Sequence, residues 1–115
     1  MAAAKYNLTI EQGATFVKSV TVKDATTGVA RDLSGYTIRG QIRSDYDSQT
    51  PVASFIFSPL DNTGTFTFEL SAATTTALDF ETAVYDIELQ EVGSNPINVE
   101  RLMQGNVYLS KEVTR

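Results

Sequence analysis

The sequence YTIRGQIR, residues 36–43, alternates strictly between two kinds of side chain. Successive side chains of a β-strand point to opposite faces of the sheet, so this alternation predicts a strand with one buried face and one solvated face. It is the clearest strand signal in the chain, and it favours a β fold. The two faces are Tyr36, Ile38, Gly40 and Ile42 on one side, and Thr37, Arg39, Gln41 and Arg43 on the other.

Segments of the same kind recur on both sides of this strand. Turn residues separate them roughly every 8–12 residues, as in the DATTG segment at 24–28 and the GSNP segment at 93–96. This spacing predicts an all-β fold, an antiparallel immunoglobulin-like β-sandwich of about seven or eight short strands. Gly105 is a candidate bulge within the last of them. The predicted strands cover residues 5–11, 14–22, 36–43, 52–58, 65–70, 84–90 and, as one strand or a pair, 99–103 and 105–109.

The segment SAATTTAL, residues 71–78, breaks the alternation. Ser71 suits the N-cap of a helix, whereas three consecutive threonines lower helix propensity, so we expect at most one short helix here. No linker or low-complexity tract divides the 115 residues. We therefore expect one domain, residues 1–115, with short terminal arms.

The sequence contains neither cysteine nor histidine. Their absence removes thiolate and imidazole metal ligands and the commonest general base, so we expect no enzyme and no cofactor. The net charge of -5 disfavours a nucleic-acid partner. No apolar run reaches the roughly 18 residues of a membrane-spanning helix, and the first residues lack a signal-peptide pattern. We therefore expect no membrane partner, and synthesis in the cytoplasm.

Two weaker signals concern carboxylates. Asp86 and Glu88 share one strand face, and a pair of carboxylates is what glycoside hydrolysis requires, but a solvated outer face is the favoured interpretation. Residues 45–49 resemble the start of a calcium loop, yet an EF-hand needs Gly and Glu where this chain has Thr50 and Ile56. A polar hairpin loop is favoured there, and an irregular calcium site remains the alternative.

Candidate contact residues lie on strand faces and at the chain ends. Arg39, Gln41 and Arg43 form a polar stripe, and arginine is enriched at protein interfaces, although a solvated face is the competing interpretation. Tyr46 and Tyr108 are candidates for an exposed aromatic platform. The Ala-rich N-terminus and the polar C-terminus are expected to act as arms that reach neighbouring subunits. The C-terminal candidates are Lys111, Glu112, Val113, Thr114 and Arg115.

Several segments, taken in their order along the chain, form a recognisable outline. They are YNLTIEQGATF (6–16), LSGY (33–36), IRGQIR (38–43), LSAATT (70–75), VYDIEL (84–89) and the ending from RLMQG to EVTR (101–115). The ordered set covers nearly the whole chain and resembles small β-sandwich structural proteins of tailed phages, in particular of marine cyanobacterial myophages. The strand–Gln-Gly–strand opening is also similar to the N-terminal attachment domain of phage upper-baseplate proteins.

The resemblance implies a virion structural protein that acts by protein–protein contacts on the capsid surface, neck, tail or baseplate. Its implied partners are other virion proteins and copies of itself, and its implied location is the virion, after synthesis in the host cytoplasm. A second hypothesis is a carbohydrate- or receptor-binding β-sandwich module, which predicts an exposed aromatic platform at Tyr46 and Tyr108. An enzyme ranks behind both, because the usual acid–base residues are missing.

Overall fold

Strands of alternating polarity assemble into two β-sheets in the computed structural model, which describes residues 4–24, 26–93 and 95–113. The elements are β1 (Ala4–Lys5), β2 (Leu8–Glu11), β3 (Phe16–Thr21), β4 (Tyr36–Arg43), β5 (Ala53–Ser54), β6 (Ile56–Phe57), β7 (Thr65–Leu70), α1 (Ala72–Thr76), β8 (Thr82–Glu91) and β9 (Val99–Ser110). The larger sheet has the strand order β1/β2–β9–β8–β4–β5, and the smaller sheet has the order β3–β7–β6. The prediction of a β-sandwich with one short helix is confirmed.

One predicted strand divides between the two sheets. The segment 52–58 forms β5 in the larger sheet and β6 in the smaller sheet. Phe55 lies between them, buried in the core, and its N–H donates a hydrogen bond to the carbonyl of Gly40 at 3.0 Å. The chain therefore crosses from one sheet to the other at this phenylalanine. The end of the chain, in contrast, is a single strand, β9.

The first strand of the chain pairs with the last strand in parallel. Ala4 of β1 lies opposite Met103, and Ile10 of β2 lies opposite Leu109. Parallel neighbours cannot be joined by a hairpin, and here almost the whole domain connects them. This pair is the exception to the predicted antiparallel pairing. Of the predicted Ala-rich N-terminal arm, Ala4 pairs with β9 as part of the sheet, and residues 1–3 lie outside the described residues.

The turn after β2 holds the end of β9. The Gln12 N–H donates to the carbonyl of Ser110 at 2.8 Å, and its side-chain Nε2 donates to the carbonyl of Leu78 at 2.9 Å. The Gln12 Oε1 accepts from the N–H of Glu112 at 3.1 Å. One glutamine thus joins the turn after β2, the end of the helical segment and the C-terminal segment.

The helix is short and is anchored by its hydroxyl groups. Ser71 is the N-cap, and its Oγ accepts from the N–H of Thr74 at 3.2 Å. The fully buried Thr75 accepts from the N–H of Gly13 at 3.1 Å and has the carbonyl of Ala14 within 2.8 Å of its Oγ1. These bonds satisfy the backbone of the turn where it enters the core. No helix among the described residues has the length and apolar character needed to cross a membrane.

The core between the sheets is built around phenylalanine rings. Phe68 of β7 is fully buried, and its ring centroid lies 5.0 Å from that of Phe55 and 5.9 Å from that of Phe16. Rings in tilted and edge-on arrangements pack favourably beyond the area they bury. This cluster fixes the two sheets against each other and leaves their outer faces as the surfaces of the molecule.

Candidate interface on the larger sheet

The polar face of β4 lies against carboxylates of β8. Antiparallel pairing sets Arg39 opposite Glu88 and Gln41 opposite Asp86. The Arg39 Nη2 is 2.9 Å from Glu88 Oε1, and the Arg39 Nε donates to the same oxygen at 3.0 Å. The arginine stripe and the carboxylate pair, which sequence analysis singles out separately, therefore form one cross-strand network.

A third arginine joins this face from β9. The Arg101 Nε lies 3.5 Å from Asp86 Oδ2. The register of β8 and β9 shifts between Ile87 and Glu88, so that Leu102 has no partner and lies beside Met103 in the core. This bulge returns Arg101 to the outer face.

The bulge in β9 lies at Leu102 and not at Gly105. The prediction of a bulge at Gly105 is wrong, because Gly105 pairs regularly with Tyr85 of β8.

The loop after β4 fixes the last arginine of the stripe. The Arg43 Nη1 donates to the carbonyl of Ser48 at 2.7 Å, and its Nη2 donates to Gln41 Oε1 at 2.8 Å. Both bonds restrict the guanidinium to one orientation. The same loop presents Tyr46 to solvent, with 68% of its surface exposed.

The acidic residues of this loop close their own turn. The Asp45 Oδ1 accepts from the N–H of Asp47 at 3.0 Å, and the Asp45 carbonyl accepts from the N–H of Ser48 at 3.3 Å. Such bonds are typical of a polar hairpin loop. Among residues 4–24, 26–93 and 95–113, no group of three or more acidic residues is placed to hold a metal ion.

The outer face of the larger sheet carries a shallow trough. Two adjacent depressions of about 370 and 360 Å³ share Gln41, Arg43 and Asp86 in their walls. A smaller depression of about 180 Å³ continues toward β1, and Tyr46 lines both it and the second one. We call this surface the polar trough, and its main residues are Arg39, Gln41, Arg43, Tyr46, Asp86, Glu88 and Arg101.

The remaining candidates lie away from the polar trough. Tyr108 is on the same sheet face, opposite Thr82, but does not line any of the three depressions. Lys111 and Val113 are exposed beyond β9, whereas Glu112 is half-buried against the turn after β2. Glu112 of the predicted C-terminal arm is thus bonded within the domain, and contact of this segment with neighbouring subunits stays a prediction. Thr114 and Arg115 lie outside the described residues.

The carboxyl of Asp86 has a raised pKa. Burial raises its pKa above the ordinary value of 3.8, and the neighbouring Glu88 carboxylate raises it further. The guanidinium groups of three arginines lower this pKa but do not outweigh burial. Ionised Asp86 is therefore less favourable in the folded chain than in the unfolded chain.

This shift predicts a pH dependence that a substitution removes. Between pH 3.8 and the raised pKa the folded state binds more protons than the unfolded state, so stability falls as pH rises through this window. We expect the stability of the unchanged chain, relative to Asp86→Asn, to fall from about pH 4 towards neutral pH. Urea unfolding of both proteins at several pH values measures this difference.

A difference that stays constant or rises with pH would contradict the prediction. Three loop carboxylates have lowered pKa values because they accept hydrogen bonds from nearby Thr and Ser groups. Their contribution has the opposite sign, since it is lost as pH falls below their unfolded-state value. It is the same in both proteins and therefore cancels in the comparison. These carboxylates belong to Asp24, Asp32 and Asp61.

These features define a class of protein, a β-sandwich that presents an ordered polar trough on its larger sheet. The model of the LtfC-like, beta-sandwich domain family matches residues 2–110. The chain belongs to this family. No curated protein sequence matches it significantly.

Proposed function

We propose that the chain is a structural module of a tailed-phage particle and acts by contacting other proteins of that particle. The observation that carries this proposal is the family membership over residues 2–110, because the family is named for LtfC, a phage tail fibre-related protein. The outline shared with structural proteins of marine cyanobacterial myophages supports the same role. On this proposal the protein is made in the host cytoplasm, joins the virion, and needs neither catalysis nor a cofactor.

The polar trough is the surface we propose for these contacts. Its arginines are held by Glu88, Ser48 and Gln41, so binding a partner freezes little additional side-chain motion. Fixed guanidinium groups suit bidentate recognition of carboxylates and carbonyls on a partner. Other virion proteins and copies of this chain are the proposed partners.

Mass spectrometry of purified virions tests the proposed role. The protein should be found in the particles, and its copy number indicates its place. Hundreds of copies correspond to the capsid or tail tube, and about a dozen or fewer to the neck or baseplate, following the symmetry of those assemblies. Absence from purified virions would contradict the proposal.

A charge reversal in the polar trough tests the proposed surface. We expect Glu88→Lys to lower incorporation into particles about tenfold, because unfavourable charge contacts across an interface cost more than 1 kcal/mol. The matched control is Glu69→Lys, the same change on the outer face of the smaller sheet, where Glu69 alternates with buried residues of β7.

A double variant separates binding from folding. Arg39→Glu combined with Glu88→Lys retains an opposite-charge pair across the strands but exchanges the charges that a partner meets. We expect this variant to fold normally and still to be incorporated poorly. Incorporation equal to that of the unchanged chain would contradict the assignment of the trough as the contact surface.

A carbohydrate- or receptor-binding module is the second candidate function. It is favoured by Tyr46, which is largely exposed and lines two depressions beside Arg43 and Asp45. Aromatic faces next to planar polar groups suit sugar rings. Glycan-array binding that is lost in Tyr46→Ala and kept in Tyr108→Ala, which lies outside the trough, would support it. A silent array would count against it.

A further inference from the structure

The sandwich has an open side between two edge strands. After the turn at residues 12–15, β3 enters the smaller sheet, whereas β2 and β1 form the edge of the larger sheet. The two edges face each other without pairing, and the Lys18 ammonium lies 4.4 Å from the ring centroid of Tyr6 across the gap. Unpaired edges are the places where a β-sandwich can accept another strand.

A groove on this side reaches the hydrophobic core. It has a volume of about 260 Å³, and Leu102 and Met103 of β9 form its floor. Val20 and Val22 line one wall and Tyr6 the other. Unlike the polar trough, this groove is mainly apolar. We call it the side groove, lined by Ala4, Lys5, Tyr6, Val20, Thr21, Val22, Lys23, Leu102 and Met103.

The open side is positively charged on a protein of net charge -5. Lys5 and Lys23 line the side groove, and Lys18 stands beside it, so three of the four lysines lie here. None of the three forms an ion pair within the described part of the chain. Asp24 follows Lys23, but its carboxylate accepts hydrogen bonds from the N–H groups of Thr26 and Thr27 in its own turn. Glu11 lies in a separate depression with Thr9, Thr15, Phe16 and Val17. The charge therefore favours an acidic occupant.

The edge of β3 offers backbone groups in a defined pattern. The Val22 N–H donates to the carbonyl of Gly64, so the even-numbered residues of this strand direct their backbone groups toward β7. The N–H and carbonyl groups of Val17, Ser19 and Thr21 consequently point away from β7. They lie at the free edge, in the spacing that an added strand requires.

We propose that the β3 edge and the side groove bind an extended acidic strand of a neighbouring protein. The strand adds to the smaller sheet beside β3. Every second side chain of the added strand faces inward. Among these inward side chains, a carboxylate lies opposite Lys18 and an apolar side chain lies opposite Val20. The inference rests on the proposed assembly role for its biological setting, but of the residues that line the side groove only Lys5 also lines a depression of the polar trough.

A second copy of β3 does not fit this position. Antiparallel pairing that continues both faces of the sheet sets inward residues opposite inward residues. For two copies of β3 these are Phe16, Lys18 and Val20, so Lys18 always meets another lysine or an apolar side chain. An inward lysine on an edge strand therefore disfavours pairing between two copies of β3. It favours an added strand that places a carboxylate opposite the lysine.

Two synthetic peptides test the inference on the full chain. One has the sequence TVTETVT and the other TVTKTVT, both with blocked ends. With ¹⁵N-labelled protein, we expect the Glu peptide to shift the amide resonances of Val17, Ser19 and Thr21 and to slow their hydrogen exchange. We expect Lys18→Glu to weaken the Glu peptide about tenfold and to favour the Lys peptide instead, since cross-strand charge pairs reverse sign.

The control is Lys111→Glu, which makes the same charge change at an exposed position outside the groove. It should bind the Glu peptide as the unchanged chain does. The absence of shifts on β3 at about millimolar peptide, or equal affinity of Lys18→Glu for both peptides, would overturn the inference. Peptide binding by a protein that is absent from virions would support strand binding at the side groove and contradict the virion role. Presence in virions without peptide binding would support the virion role and overturn strand binding at the side groove.

Discussion

Replacing Phe68 with alanine is expected to lower the free energy of unfolding by about 3–5 kcal/mol, the usual cost of removing a buried phenylalanine ring. Phe68 is fully buried, and its ring packs against Phe16 of β3 and against Phe55, whose ring lies 6.1 Å from that of Tyr85 in the larger sheet. The neighbouring rings belong to separate strands and cannot collapse together into the space without moving the sheets. Because domains of this size have only about 5–15 kcal/mol of stability, the variant should be partly unfolded at moderate urea concentrations.

Urea unfolding followed by circular dichroism measures this loss. Phe68→Leu keeps much of the apolar volume and should cost less. Ile56→Ala, on a strand of the same sheet but 56% exposed, should have a small effect. A loss below about 1 kcal/mol for Phe68→Ala would show that the aromatic cluster does not hold the sheets together.

Replacing Gly105 with alanine is expected to cost about 1–3 kcal/mol through overpacking. A Cβ at Gly105 would collide with the carbonyl oxygen of Tyr6 and lie 3.0 Å from Asn7 Oδ1. The same carbonyl accepts a hydrogen bond from the buried Tyr85 hydroxyl at 2.5 Å, and Asn7 Oδ1 accepts from the N–H of Asn106 at 3.0 Å. An added methyl group therefore pushes the first strand away from β9 where β1 gives way to β2.

The matched control for this variant is Gly35→Ala. An added Cβ at Gly35 meets no atom within 4 Å, and the residue does not need a positive φ angle. We expect Gly35→Ala to change stability little, whereas Gly105→Ala should also speed the hydrogen exchange of the Tyr6 N–H, which bonds to Gln104. Equal stability of the two variants would contradict the close approach of the first and last strands.

Alternation predicts individual strands well where one face is buried. The prediction for β4 and β7 is correct to the residue, and the Ser71 N-cap marks the helix. The pairing of strands cannot be predicted in this way, because the alternation of polar and apolar residues does not determine which strands lie side by side. The parallel pairing of the chain ends was therefore not predicted. In the Phe55-Ile56-Phe57 run, successive apolar residues gave no sign that the chain changes sheets there.

The surfaces were predictable to different degrees. The arginine stripe of β4 was visible in the sequence, and so were Asp86 and Glu88, but their pairing depends on the register of two strands. Arg101 was missed because the bulge at Leu102 changes which side chains of β9 face outward. Its one sequence signal is the adjacent apolar pair Leu102 and Met103, which strict alternation does not allow. The side groove arises only when the edges of two different sheets come together.

Cryo-electron microscopy of purified phage particles produced together with this chain tests the central claim most directly. The account predicts density for this β-sandwich in the particle, with a neighbouring protein covering the outer face of β4 and β8 at Arg39, Arg43 and Glu88. A particle without this domain, or one in which the polar trough faces solvent in every copy, would contradict it.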